Sequence, residues 1–302
     1  MCDILILEMI NMKKAYMLAG VAILCWSTVA TVAKLMLHSI NNFQLLWISS
    51  LFAGIFLLGV NIFTGKIKKL KEYKLKDIAT SILIGLPSTF FYYALYYGGT
   101  ALMPASQAFI INYMWPIMSV VFACIILKEK LTLRKAIAIL ISFVGVGIVA
   151  GGELLSLNTS VLLGAALCLM GAVSYGVFTA LNQKSDYDNR ITMMLSYFAT
   201  FIITTVINGA SGNLFIPDLV QTVGFAWNGM FTMAVANTVW VFALKAGETA
   251  KISNLAYITP FLSLVWTFIV LGEVPGWYSI VGLVVIVFGI FVQIKDKKST
   301  VK

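Results

Sequence analysis

Every Lys and Arg of this 302-residue chain except Lys34 stands at an end of the chain, or in or beside alternate connections between long apolar stretches. Retention of basic residues on the cytoplasmic side of a bilayer produces that pattern, and a water-soluble fold has no reason to. The stretches are 15–35, 42–63, 77–97, 103–127, 133–150, 161–182, 191–211, 222–244, 250–271 and 277–294. At ~1.5 Å rise per residue, about 20 residues cross the ~30 Å hydrocarbon layer, so each is of spanning length. The expected fold class is all-α: a polytopic membrane protein of ten transmembrane helices. A β-barrel is excluded, because the apolar runs lack alternation and are about twice the length of a barrel strand.

With 60% apolar and only 11% charged residues, the chain has too little charge to cover a water-soluble surface of its size. The formal charge of +9 is no sign of nucleic-acid binding. Its largest cluster, Lys66, Lys68, Lys69, Lys71, Lys74 and Lys76, fills one short connection, where topology control and anionic headgroups account for it. Membrane lipids are the expected partners, at the inner (cytoplasmic) membrane of the cell. Starting inside, the interior segments are the N-terminus, 64–76, 128–132, 183–190, 245–249 and the C-terminal tail 295–302. The exterior segments 36–41, 98–102, 151–160, 212–221 and 272–276 carry Glu153, Asp218 and Glu273 but no Lys or Arg. Both termini are therefore expected inside. The first span shows no clear cleavage site and reads as a retained helix. Asp3 and Glu8 stand where a positive flank is expected, so a start at Met12 would give Met-Lys-Lys before that span.

Two halves are visible, 13–150 and 161–294. Pro116 and Pro260, Glu129 and Glu273, and Gly145 and Gly289 each lie 144 residues apart. Each half has five spans, an odd number, so the second enters the membrane from the opposite side. Two oppositely threaded bundles have two near-equivalent packings, one open to each face, and exchange between them moves a site across the bilayer. A receptor or intramembrane enzyme needs no such symmetry.

The matched prolines locate the expected site. Pro116 and Pro260 each remove a backbone donor and leave carbonyls that must face protein, water or substrate. Before Pro116 stand Gln107, Asn112, Tyr113 and Trp115; before Pro260 stand Asn254, Tyr257 and Thr259. Buried amides and hydroxyls need partners and should face the bundle interior. Tyr92 and Tyr96 share one helix face, as do Tyr93 and Tyr97; one pair is expected at the cavity and the other at the interfacial belt. Trp26, Tyr175, Asn237 and Trp240 would complete the wall. Lys34 either snorkels to the headgroups or meets a substrate carboxylate at the outer vestibule. Lys245, Glu248 and Lys251 flank the inner ends of spans eight and nine, as a gate or a surface ion pair. Gly145, Gly147, Gly151, Gly282 and Gly289 would allow close helix packing, within the chain or between two copies, which makes a homodimer a candidate assembly.

No catalytic constellation is present. His38 has no partner for zinc or for a carboxylate pair, the cysteines form no CxxC motif, and no Walker lysine follows the glycine pairs. Neither metal nor cofactor is expected. No Asp or Glu stands near the centre of a span, which argues against proton relay through a membrane acid and against a fixed anion for strong cations. An aromatic cage could still hold a quaternary amine.

With these residues in place, the chain resembles the ten-helix drug/metabolite transporter superfamily, specifically the EamA-type permeases. The resemblance covers residues 13–294 and rests on the doubled five-helix unit and on the proline and acidic loop closing the fourth helix of each half. Ile111-Asn112-Tyr113-Met114-Trp115-Pro116 is similar to the corresponding stretch in the bacterial aromatic amino acid exporter branch. The resemblance implies a cavity formed by spans one, three, four, six, eight and nine, reached by Asn112, Tyr113 and Trp115, with spans five and ten to the side. The second half departs: Ala256-Tyr257-Ile258-Thr259-Pro260 has no tryptophan. The expected function is secondary export, by alternating access, of amino acids or similar small metabolites, aromatic ones among them. The rivals are an importer or exchanger of nucleobases, choline-like cations or drugs, and a non-transporting membrane scaffold or sensor.

Overall fold

The computed structural model describes residues 2–154, 158–246, 252 and 255–294, and these are helical with short connections. In chain order the helices are α1 (Cys2–Ser27), α2 (Val29–Met36), α3 (Asn42–Phe63), α4 (Leu75–Leu86), α5 (Tyr92–Leu102), α6 (Ala105–Asn112) and α7 (Trp115–Ile126). They continue with α8 (Leu133–Leu154), α9 (Thr159–Lys184), α10 (Asn189–Ala210), α11 (Leu219–Ala226), α12 (Ala236–Ala246), α13 (Thr259–Leu271) and α14 (Trp277–Ile294). Six helical stretches among the described residues are long and apolar enough to cross a bilayer, the longest being Leu75–Leu102. The chain is thus an all-α, multi-spanning membrane protein. One segment expected as an exterior connection, 98–102, is instead the last turn of α5.

Burial is inverted relative to a soluble protein. Phe63, Ile216 and Trp277 are exposed, whereas Thr89, Ser196, Thr200, Thr204 and Asn228 are buried. Several hydroxyls inside the bundle find acceptors there: Thr100 donates to the Tyr96 carbonyl at 2.8 Å, and Thr200 to the Thr89 hydroxyl at 3.0 Å. A polar group left facing lipid would have no such partner.

Five of the long stretches are interrupted. Near Thr28 the first divides into α1 and α2. A π-helical stretch, Pro87–Phe91, joins α4 to α5, and a second, Trp227–Val235, joins α11 to α12. At Tyr113–Met114 the helix stops between α6 and α7, with Pro116 at the second position of the new helix. Pro260 holds the same place in α13, after a 3-10 turn over Ala256–Ile258. Proline has no N–H to give the carbonyl four residues back, so Asn112 and Ala256 lose their α-helical donor, although the Thr259 N–H still reaches the Ala256 carbonyl in the 3-10 turn.

The helices that follow these prolines end alike. Lys128 takes φ 58° and Gly272 takes φ 69°, 144 residues apart. Just beyond, the Glu129 N–H reaches the Ala123 carbonyl at 3.3 Å and the Glu273 N–H the Thr267 carbonyl at 3.2 Å. This six-residue closure is the usual left-handed helix stop. Lys128 is the sole non-glycine residue with positive φ among the described residues, held in a conformation its mate takes freely as glycine.

On the polar end of the bundle, the basic connection is more than a headgroup patch. Lys66 and Lys69 pair with Asp188 at 2.9 and 3.3 Å, and the Tyr187 hydroxyl donates to Asp77 at 3.0 Å. The link between the halves is thereby fastened to the first half.

Helices α8 and α14 cross at small residues. A Cβ on Gly145 would stand 2.9 Å from the Gly282 carbonyl oxygen and 2.6 Å from Ile286 Cγ1. One on Gly289 would stand 2.9 Å from the Ala138 carbonyl oxygen and 2.2 Å from Ser142 Oγ. These glycines pack within the chain. Gly147 does not share that role: nothing lies within 4 Å of its Cβ position. Overpacking a close crossing costs about 1–3 kcal/mol. Gly289→Val should therefore lower the detergent melting temperature by several degrees while Gly147→Ala leaves it unchanged, as read by thermal unfolding monitored on the chain's tryptophans.

Candidate functional site

The interruptions converge on one cavity of about 210 Å³, lined in part by Trp26, Tyr92, Asn112, Tyr113, Trp115 and Tyr175. Asn237 and Trp240 of α12 close its far side. It is reached by α1, α5, α6, α7, α9, α12 and the start of α13, while α8 and α14 stay apart.

Its wall is two aromatic groups. Trp26 and Trp240 meet at 5.2 Å between ring centroids. Opposite, Tyr175 stands 5.2 Å from both Tyr92 and Trp115, and Tyr113 stands 6.2 Å from Trp115. Polar atoms are few and placed. Asn112 donates from Nδ2 to the Tyr92 hydroxyl at 2.8 Å. Its Oδ1 is buried without a hydrogen-bond partner among the described residues. The Tyr113 hydroxyl donates to the Ala256 carbonyl, one of the two stripped of a helical donor by proline, at 2.5 Å. Among the described residues, none that lines it is charged. Such a wall suits a small ligand with a flat or apolar body and a few hydrogen-bonding groups, and ring faces accept an ammonium group.

The structure separates the other sequence candidates from this cavity. Tyr96 is fully buried behind Tyr92, their rings stacked at 5.9 Å, and does not line the space. Helix face was the wrong criterion: depth decides, and a turn beyond Tyr92 and Tyr93 the bundle is already closed. Gln107 instead donates to the Tyr278 hydroxyl at 3.3 Å, tying α6 to α14. Tyr257 turns away and packs on Phe291 at 5.0 Å. Lys34 neither snorkels nor faces the cavity. Its ammonium donates to the Thr100 and Met103 carbonyls at 2.9 and 2.8 Å, capping the end of α5. Glu248, Lys251 and Asn254, and the side chain of Lys245, lie outside the described residues. Thr259, expected beside Pro260, does stand in the wall, whereas sequence reasoning missed Val29, Phe109, Thr179 and Thr232, which are apolar or singly polar and carry no pattern that marks them.

One acid has a clear task. Glu273 accepts from the backbone N–H groups of Ala105 and Ser106 at 2.9 and 3.0 Å and from the Ser106 hydroxyl at 2.9 Å. It is a carboxylate on the N-terminus of α6, supplied from the other half of the chain, where the helix dipole favours it. With Lys34 on the preceding carbonyls, it clamps the turn between α5 and α6, at an end of the bundle where Tyr97, Thr100, Met103 and Ser106 are buried. At the other end Asn237 is shared with a smaller cavity of about 40 Å³ lined by Asn189 and Arg190. Its Arg190 guanidinium lies 5.7 Å from the Phe242 ring centroid.

Comparison with known proteins now bears on this geometry. The family model described as the EamA-like transporter family matches twice, over residues 13–151 and 162–294. The chain belongs to the EamA-like transporter family. It is accordingly a transporter-family protein and not an enzyme, and no metal-holding cluster of His, Cys, Asp or Glu occurs among the described residues. An uncharacterized transporter of Clostridium kluyveri is 23% identical over 95% of each chain. YcxC of Bacillus subtilis, also an uncharacterized transporter, is 24% identical over 72% of this chain and 73% of its own. A probable terminal-alkyne amino-acid exporter of Streptantibioticus cattleyicolor is 22% identical over 68% and 70%. One solved crystal structure superimposes with a TM-score of 0.65 at 19% identity, covering 92% of this chain and 96% of that one, a likeness of fold.

Removing a helix-capping acid costs about 0.5–2 kcal/mol. Glu273→Ala should lower stability by about that amount and speed amide hydrogen exchange at Ala105 and Ser106, measured by exchange mass spectrometry over that peptide.

Proposed function

We propose that this protein is a ten-span secondary transporter of the cytoplasmic membrane, with both termini inside, that exports amino acids or similar small metabolites by alternating access. The observation that carries the reading is the uncharged aromatic cavity at the paired breaks before Pro116 and Pro260. A ligand that presents an N–H to Asn112 Oδ1 and its apolar body to Trp26, Trp115, Tyr92 and Tyr175 fits that wall. The printed description of the Streptantibioticus relative, an amino-acid exporter, points the same way at low identity.

Support for two oppositely oriented halves comes from the α8–α14 crossing. Gly145 touches Gly282 and Ile286; Gly289 touches Ala138 and Ser142. Shifting each residue by 144 turns the first pair of contacts into the second. Reciprocal contacts of that kind are what a two-fold axis between equivalent helices produces. The twin family match and the twin helix stops at Lys128 and Gly272 agree with it.

Losing one ring contact in a desolvated site is worth about 0.5–1.5 kcal/mol, or roughly three- to tenfold in affinity. In vesicles carrying the purified protein, counterflow of labelled amino acids should show KM raised by about that factor in Trp115→Ala, with insertion unchanged. Normal insertion with unaltered flux of every amino acid, nucleobase and quaternary amine tried would remove the cavity from the transport path.

A further inference from the structure

Mates under the 144-residue shift should behave alike, yet one pair at the centre of the molecule does not. Tyr113 and Tyr257 are such mates, and so are the residues before them, Asn112 and Ala256, whose carbonyls face Pro116 and Pro260 four residues on. Tyr113 crosses between the halves and donates its hydroxyl to the Ala256 carbonyl. The mirror bond would run from the Tyr257 hydroxyl to the Asn112 carbonyl. It is not made: the Tyr257 ring lies against Phe291. The mate of Phe291 is Gly147, which is exposed and has nothing within 4 Å of its Cβ position. The first half therefore keeps open room where a displaced Tyr113 ring would rest.

We propose that Tyr113 and Tyr257 are alternating latches, each holding one of the two access states through the carbonyl whose α-helical donor the opposite proline has removed. In the state described here Tyr113 is engaged, Tyr257 is parked on Phe291, and the Glu273–Lys34 end is shut. In the opposite state Tyr257 donates to the Asn112 carbonyl and Tyr113 swings toward Gly147. One hydrogen bond breaks as its mirror forms, so each state keeps one tyrosine bond between the halves. The proposal rests on the alternating-access reading above.

The test uses the full chain in oriented vesicles, with Thr179→Cys as reporter in the cavity wall and Cys2 and Cys124 replaced by alanine. The readout is the ratio of labelling by a membrane-impermeant maleimide added to the cytoplasmic or to the outer face, minus that of the same chain without Thr179→Cys. Loss of one buried hydrogen bond moves a two-state population by roughly two- to tenfold. Tyr113→Phe should shift the ratio by that factor toward the outer face, Tyr257→Phe by a similar factor toward the cytoplasmic face, and the double variant should return near the parent. Shifts in the same direction, or none in either, overturn the latch. Should Tyr113→Phe fail to insert, the absence of a cytoplasmic shift in Tyr257→Phe overturns it alone. Opposed shifts without flux of any amino acid contradict the substrate reading only, and flux without opposed shifts contradicts the latch only.

Discussion

Hydrocarbon offers no hydrogen bonds, and that single condition shapes the centre of this molecule. A helix broken inside a bilayer exposes carbonyls that must find donors or lie against a wet or ligand-filled space. This chain breaks a helix before Pro116 and again before Pro260. It covers one of the resulting carbonyls with the Tyr113 hydroxyl. The breaks are sustainable because a cavity lies between them, and the cavity exists because the breaks splay the helices around it.

The same condition explains how the shut end is built. The turn between α5 and α6 brings the carbonyl end of one helix and the N–H end of another to a place poor in water. Lys34 answers the first with an ammonium and Glu273 the second with a carboxylate. Each charge meets a helix terminus of the sign it favours. Neither lies in the cavity, so the wall keeps its neutral character, and recognition there is left to rings, an amide and hydroxyls.

Much of this was legible in the sequence. Long apolar stretches marked a multi-spanning all-α membrane protein, and the equal spacing of Pro116, Glu129 and Gly145 with their mates is the ground for proposing two halves. Side chains beside the prolines pointed to the cavity, where Asn112, Tyr113 and Trp115 stand. What escaped was depth and direction. Tyr96 shares a face with Tyr92 but lies one turn beyond the cavity's end. Tyr257 shares a repeat position with Tyr113 but points the other way, and no repeat pattern can report a broken symmetry. The π-helical stretches at Pro87–Phe91 and Trp227–Val235 leave no periodicity to read, since each lies inside a stretch of spanning length. The role of Glu273 was hidden because its partners are backbone N–H groups nearly 170 residues away in sequence.

Opposed threading of the halves is the claim on which transport, the cavity and the latches all depend. Lys68 and Ser211 are exposed and close to mates under the repeat shift, one before the fourth helix and one after the tenth. Single-cysteine variants Lys68→Cys and Ser211→Cys, labelled in right-side-out and inside-out vesicles, measure it most directly. The account has Cys at 68 reacting from the cytoplasmic face and Cys at 211 from the outer face. Reaction of both from one face would contradict it.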